Sequence, residues 1–292
     1  VVDDDVIFSE HAWASKAGGK MLLYFGPNLK ENLNRVSVRE FLRRRKAWGA
    51  VWNYDWDCED GGPWYTYVCD TIGYDIDKIT SKNSRKTIRR SLERNEVRRV
   101  DAAWLADHGY EMYVRATARY KNYKVASREG FAREVRALGA ETSVLIYGVF
   151  ADGVLAAYGI ARQFGPTVRF IFAHFDPDRS ETKPMYALYY TLARDCLNQG
   201  CTDIDAGWRP FVHDTNIEEF FRRMGWRQAP CRIDLYLAWP LRAVLSIARI
   251  IREPLDCLLP GRFRVMLQGL LVAEDVARES RRRPAVFISR SG

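Results

Sequence analysis

Lys82, Arg85, Lys86, Arg89 and Arg90 recur at spacings of three and four. On an α-helix they gather into one cationic stripe, with Ile88 and Leu92 on a narrow apolar seam beside it. Like charges crowded on one face repel each other, and a polyanion or an acidic surface relieves that cost. Phosphate recognition is the chemistry this stretch offers, with an ordinary solvated surface helix as the alternative. Nothing comparable marks a covalent nucleophile. The sequence has no G-x-S-x-G, and its six cysteines (Cys58, Cys69, Cys196, Cys201, Cys231, Cys257) include no C-x-x-C pair. His11, His108, His174 and His213 stand apart from them, so the spacings encode neither a zinc site nor a disulfide framework.

The chain has 292 residues, 47% of them hydrophobic and 13% aromatic, enough for a large core and too apolar for a disordered chain. Its 45 basic against 37 acidic residues leave a formal charge of +8, which favours an anionic partner: nucleic acid, anionic lipid or a phosphorylated substrate. The first residues, VVDDDVIFSE, are acidic where a signal peptide is basic and then apolar. No apolar run is long enough to span a bilayer. The expectation is a reduced, cytoplasmic protein.

The elements that must position the stripe follow from periodicity. KMLLYFGP reads as a strand closed by Gly26 and Pro27; VREFLRRRKAW reads as a helix capped by Ser37, with Glu40 completing a capping box and Gly49 ending it. Two aromatic strands follow, AVWNYDWD and PWYTYVCD, around the turn EDGG. Asp55 and Asp57 alternate with Trp52, Tyr54 and Trp56, so these acids rim a cleft or simply face outward. Asp101 opens a helical region to about residue 123, and Ser127 caps a second helix. Three strand signals, SVLIYGVF, VLAAYGIARQF and TVRFIFAHF, are joined by Asp152-Gly153 and Gly165-Pro166. The loop DPDRSETKP, the helix MYALYYTLARDCLNQ, the strand TDIDAGW, the helix NIEEFFRRMG and the strand CRIDLYLAW complete the series.

Around the stripe the order is an aromatic strand ending at Asp70, a short acidic link with Asp75 and Asp77, the basic helix from Ser81, and a strand over Val97–Val100. That order resembles the FemABX family, the aminoacyl-tRNA-dependent transferases of the FemX and MurM type, with Asp70, Ser81, Lys82, Arg85, Ile88, Arg89 and Arg90 as the matching residues. Gly200-Cys-Thr-Asp-Ile-Asp205-Ala-Gly207 resembles the family's glycine-ended helix and following strand. Residues 101–240 resemble the GNAT acyltransferase fold in their order of elements. The expected fold is therefore α/β (α+β) and GNAT-like: an abbreviated GNAT-like half over residues 1–100 ending in the basic helix, a full GNAT-like domain over 101–240, and a helical tail over 241–292.

In that fold the acyl donor lies where the sheet splays, here between the strand ending at Phe175 and the strand of Asp205. The coenzyme A loop of classical GNAT proteins offers free N–H groups to a pyrophosphate. Counting from Arg179, Thr182 and Pro184 occupy the positions of its two small residues, and proline has no N–H. The resemblance thus implies an aminoacyl ester on tRNA as donor, without a cofactor, and an amine of a peptidoglycan precursor or peptide-type secondary metabolite as acceptor. A CoA-dependent GNAT N-acyltransferase is the alternative, and a non-catalytic nucleic-acid binder a third reading.

An aminoacyl ester is already activated, so positioning and electrostatics carry most of the work. Lys183 is the candidate for the oxyanion or the terminal phosphate, and equally a plain loop lysine. Asp205, alternating with Asp203, is a candidate to orient the acceptor amine or take its proton, or else caps a turn; His174 has a pKa range suited to proton transfer. Tyr186, Tyr190, Trp208 and Asp55 are candidates for the substrate pocket, with Tyr189 assigned to the core. Lys82, Arg85, Lys86, Arg89 and Arg90 are candidates for tRNA. Asp214 reads as a helix cap. The tail begins with an amphipathic helix, PLRAVLSIARIIREPLDCLL, interrupted by Pro254 and Pro260. It either braces the fold or rests on an anionic membrane. The RESRRRP cluster reads as a charged tail.

Overall fold

The computed structural model describes residues 4–9, 12–16, 19–118, 125–209, 211, 217–250 and 261–282. In chain order the elements are α1 (Asp4–Ile7), β1 (Trp13–Lys16), β2 (Met21–Tyr24), α2 (Arg35–Arg44), β3 (Gly49–Tyr54), β4 (Trp64–Cys69), α3 (Lys82–Arg94) and β5 (Glu96–Arg99). Then come α4 (Ala102–His108), α5 (Tyr110–Ala118), α6 (Arg128–Gly139), β6 (Val144–Ala151), β7 (Val154–Phe164), β8 (Thr167–Phe175), α7 (Pro184–Asn198) and β9 (Asp203–Asp205). The series closes with α8 (Ile217–Arg223), β10 (Arg227–Leu237), α9 (Trp239–Ile250) and α10 (Gly261–Arg282). Two compact units interleave along the chain: one takes Val1–Thr66, Trp208–Asp214 and Gln228–Gly292, the other Tyr67–Gly207 and Thr215–Arg227.

In the first unit β1 runs antiparallel to β2, β2 parallel to β3, and β3 antiparallel to β10, with Tyr54 opposite Arg232. One core cluster gathers Trp13, Tyr24, Phe41 and Trp52, and the Trp52 indole donates to Asn32 Oδ1 at 2.8 Å, as a buried indole N–H must find an acceptor. A second cluster joins Val51, Ile233 and Leu235 to Leu245 of α9 and Leu271 and Ala277 of α10. Alternation along β3 sends successive side chains to opposite faces, which is why both clusters draw on it.

Two local details differ from the sequence expectation. Asn34, not Ser37, caps α2, its side chain accepting from the N–H groups of Val36 and Ser37; an asparagine that reaches those N–H groups first starts the helix earlier. Asp55 and Asp57 take left-handed φ angles of 49° and 59°, so β3 stops at Tyr54 and the apparent alternation beyond it belongs to a turn.

The second unit is a sheet in the order β4-β9-β8-β7-β6-β5. The meander β6–β7–β8 and the β5–β6 and β4–β9 pairs are antiparallel; only β8–β9 is parallel. Helices α4, α5 and α6 contribute Leu105, Met112, Tyr113, Phe131 and Val135 to a core with Ile146, Tyr158 and Ile160. The expected single helix after Asp101 is two, α4 closing at Gly109 whose N–H returns to Leu105 O. On α7, Ala187, Leu188, Leu192 and Ala193 are fully buried, and an aromatic group of Phe170, Tyr189, Phe221 and Trp226 packs beside them. Among the described residues no helix is long and apolar enough to cross a membrane.

Candidate active site

The parallel pairing of β8 and β9 covers only Thr167–Arg169 against Asp203–Asp205. Beyond it β8 continues to Phe175, and residues 171–175 are half-buried where 168–170 are buried. The sheet therefore opens along the second half of β8. Gly207 turns the chain away with φ +87°, its Cα so close to the Phe170 carbonyl oxygen that any Cβ would collide with it. Its N–H donates to Asp205 Oδ1 at 2.8 Å, while Asp205 Oδ2 accepts from Arg169 Nε at 2.9 Å and Nη2 at 2.8 Å. Asp205 and Arg169 are both buried, so this carboxylate fixes the turn at the edge of the opening. Asp203 has a different setting. Its Oδ2 accepts from the hydroxyls of Thr167 (2.9 Å) and Thr202 (2.7 Å), its Oδ1 is buried without a partner, and burial raises its pKa above the ordinary carboxylate value. His174 lies in the open half of β8 with its ring edge-on to Tyr113 at 5.7 Å and Tyr158 at 5.5 Å.

After β8 the chain makes tight 3-10 turns over Pro177–Thr182. Buried Asp176 anchors them: its Oδ1 accepts from the Asp178 N–H at 3.1 Å, and its Oδ2 is paired with Arg115 Nη2 at 2.8 Å. The carboxylate raises the Arg115 pKa in return. The N–H of Arg179 goes to Asp176 O and that of Lys183 to Ser180 O, each at 3.1 Å. These groups point back into the turn, and Pro184 at the start of α7 has none to offer. Lys183 itself takes the left-handed conformation, φ 57°, with its side chain exposed. Behind it Tyr186 is half-buried, edge-on to Phe220 at 4.9 Å. Tyr189 packs on Phe170 at 4.3 Å in the core. Tyr190 is buried against Tyr74 at 5.7 Å, with its hydroxyl 3.4 Å from Asp75 Oδ1.

Ser81 caps α3 by accepting from Ser84 N–H at 3.3 Å. Ile88 is fully buried, as the apolar seam requires, and Leu92 is half-buried. Lys82, Lys86 and Arg90 are exposed, with no acidic partner among the described residues. Arg89 reaches Asp77 at 2.6 Å, both exposed, and Arg85 donates to the carbonyls of Ile79 (2.6 Å) and Thr80 (3.1 Å). Exposed pairs of this kind contribute little to stability and exchange readily for a phosphate.

Polar groups on the edge of α3 away from this face fasten the helix to the Lys183 turn. The Ser91 hydroxyl donates to Lys183 O at 2.8 Å and accepts from Ala187 N–H at 3.2 Å. Asn95 Nδ2 donates to Thr182 O at 2.8 Å, and Asn95 Oδ1 accepts from the Thr182 hydroxyl at 3.0 Å. The structure thus brings the cationic helix and Lys183 together. Ser91 and Asn95 were not singled out from sequence, although Ser84, Ile88, Ser91 and Asn95 follow the helical spacing of one buried side.

Trp208 and Asp55 belong to the first unit. The Trp208 indole donates to Tyr24 O and its ring packs on Phe211 at 5.8 Å. Asp55 accepts from Arg232 Nε at 2.8 Å, and Asp60 pairs with Arg232 Nη2 at 2.5 Å. Arg232 Nη1 donates to Ser280 O at 3.3 Å, and Ser280 Oγ accepts from Ile233 N–H at 3.0 Å. Asp55, Cys58 and Asp60 bring three ligand-type atoms close together, yet the cation they surround is this guanidinium. Burial and the two carboxylates push the Cys58 thiol up to about 11. Cys69 and Cys196 are pushed up to about 12, chiefly by burial, far from a reactive thiolate. Asp70 at the end of β4 pairs with Arg227 at 2.6 Å. His213, Asp214 and the tail segments at 251–260 and 283–292 lie outside the described residues.

Residues 80–222 match the acetyltransferase (GNAT) domain family, and this match together with the splayed sheet defines the chain as carrying a GNAT-type acyltransferase domain. More particularly, the fold is FemX-like. The chain is similar to the crystal structure of FemX with a TM-score of 0.53 at 12% identity, over 72% of this chain and 77% of that one. It is also similar to the C-terminal domain of a putative lysylphosphatidylglycerol synthetase from Agrobacterium fabrum, with a TM-score of 0.51 at 11% identity over 80% of this chain and 82% of that one. No curated protein matches the sequence.

Proposed function

We propose that the protein is an aminoacyltransferase that takes an amino acid from aminoacyl-tRNA and forms an amide with an amine of a small precursor, a peptidoglycan unit or a peptide-type secondary metabolite. The observation that carries this reading is the attachment of a phosphate-seeking helix face, with Lys82, Lys86 and Arg90 exposed, to the turn that presents Lys183 at the start of α7. A turn in which the Arg179 and Lys183 N–H groups are spent internally and Pro184 has none is a poor cradle for a pyrophosphate, which disfavours coenzyme A as the donor. The FemX likeness supports the same class. The similar synthetase is named for lysylphosphatidylglycerol, which adds a lipid headgroup to the acceptor classes.

In this reading the acceptor amine attacks the ester carbonyl and an oxyanion forms. The ribose oxygen then leaves, taking up the proton lost from nitrogen. Lys183 neutralises the oxyanion or the terminal phosphate of the carrier. Asp205 keeps the edge of the opening in shape through Arg169 and Gly207, and His174 lines its open half as the group placed for proton transfer. Tyr186 and Tyr190 form the wall behind Lys183, while Trp208 and Asp55 stay engaged within the first unit, on Tyr24 O and Arg232. Lys82, Arg85, Lys86, Arg89 and Arg90 track the carrier's backbone. No cofactor is required, and the donor places the reaction in the cytoplasm.

A transfer assay over a panel of charged tRNAs and candidate amines, read by mass spectrometry, tests this. The product forms with charged tRNA and disappears after ribonuclease treatment. Activity that survives removal of RNA and follows added acyl-CoA would establish the CoA-dependent alternative. Charge reversal, Arg89→Glu with Arg90→Glu, should weaken tRNA binding and reduce the slope of log K against log salt by about one per lost phosphate contact. If tRNA binds through this face yet no amine is modified, the protein is a nucleic-acid binder.

A further inference from the structure

Helix α9 is apolar on two sides. Leu245 and Ala248 are buried toward the first unit's core, and Arg249 ties the helix to Asp275 of α10 at 2.5 Å. At 100° per residue Trp239, Ala243, Val244 and Ile247 fall on the other side. There Trp239 is 75% exposed, Val244 57% and Ile247 58%. An amphipathic helix that only braced a fold would turn polar side chains to water at these positions.

The surface beside this stripe is aromatic and basic. The N–H of Ala238, just before Trp239, donates to Trp48 O at 2.7 Å, so a second indole, Trp48, 50% exposed, belongs to the same patch. Lys20 lies over the Trp48 ring at 5.3 Å and donates to Lys46 O. Arg44, Arg45 and Lys46 line one hollow of about 510 Å³ with Gly19 and Phe41. Lys20, Arg43, Arg44, Lys46 and, on α9 itself, Arg242 are exposed with no acidic side chain paired to them among the described residues. Two exposed indoles and a row of aliphatic side chains edged by unpaired cations match the chemistry of an anionic bilayer surface: rings at headgroup depth, aliphatics just below, cations on lipid phosphates.

We propose that this face of the first unit docks on anionic phospholipid, with the outer stripe of α9 lying in the interface and the basic end of α2 held against the headgroups. The docking is peripheral and independent of the donor assignment. It is tested with the full chain and vesicles of phosphatidylcholine, alone or with about one third phosphatidylglycerol. The full chain should sediment with the anionic vesicles only, release as salt is raised, and shift its tryptophan emission to the blue on binding. Trp239→Ser with Ile247→Ser should weaken binding at least about tenfold. Arg44→Glu with Lys46→Glu should weaken it by roughly fivefold or more for each cation lost; this pair keeps the test intact if the first disturbs folding. Equal binding to neutral vesicles, wild-type binding by both variants, or loss of binding through Arg89→Glu and Arg90→Glu on α3 instead would overturn the proposal. Self-association that buries Trp239 without vesicle binding would show a contact between copies of the chain and overturn it too.

Discussion

Asp203 and Asp205 stand two residues apart on one short strand and meet opposite surroundings. Asp205 has a buried cationic partner, and removing that partner alone leaves a charge with nowhere to go. Arg169→Met is expected to cost about 3–5 kcal/mol of stability, measured by urea denaturation, and Arg169→Met with Asp205→Leu considerably less. Asp203 has hydroxyl partners only, and its raised pKa makes it the more instructive of the two. A carboxyl whose folded pKa lies above its unfolded value, near 4, stabilises fully below that unfolded value, and the contribution is lost as pH rises through the folded pKa. Asp203→Asn removes this dependence, so its stability relative to wild type should improve between about pH 4 and neutrality, as denaturation midpoints at several pH values would reveal. Alternation along the strand was enough to pick out both acids from sequence. Their difference was not legible, because it depends on Arg169 and Thr167, which strand pairing brings across from a distant stretch of chain.

At the scale of elements, the Ser91 hydroxyl ties α3 to the start of α7, beside the Asn95 contacts to Thr182. Ser91 both donates to Lys183 O and accepts from Ala187 N–H, so Ser91→Ala strands the buried Ala187 N–H and leaves Lys183 O with the Tyr186 N–H alone. A loss of about 1–3 kcal/mol is expected, together with a lower kcat at saturating donor, since Lys183 would no longer be held in register with the basic face. Ser91→Thr keeps the hydroxyl and should retain most of the activity, a contrast that a purely structural loss would not produce. The basic helix, the three-strand meander and the helix after it were all readable, because each has a strong period of its own and a turn or cap at its ends. The cap of α2 and the end of β3 were not. Asn34 takes the N–H groups of Val36 and Ser37 and starts the helix before Ser37 can cap it, and the left-handed turn at Asp55 continues an alternating pattern without belonging to the strand.

The whole molecule is less linear than its sequence. The first unit gathers three separate stretches of chain, and its assembly rests on long-range pairs such as β3 with β10 and Arg281 with Asp234 at 2.7 Å. No local pattern records such pairs, which is why the order of elements could be read from the sequence and the interleaving could not. The amphipathic character of the tail was legible. That α9 keeps an apolar outer face after packing its inner one was not, since period alone does not say which sides are covered. Arg232 is the natural place to test the first unit as a body. Arg232→Met releases Asp55, Asp60 and the Ser280 carbonyl at once, and hydrogen exchange should speed up in β3, β10 and α10 while the meander β6–β8 keeps its protection.

That guanidinium also has a consequence for the order of synthesis. Residues 49–66 leave the ribosome carrying Trp52, Asp55 and Asp60, but the arginine that neutralises the two acids comes much later and the carbonyl at residue 280 later still. The second unit, nearly continuous in sequence, has all its strands in hand well before then. Nascent chains should therefore fold from the middle outward, the opposite of the usual amino-terminal-first sequence, with the opening segment protease-sensitive until the last helix emerges.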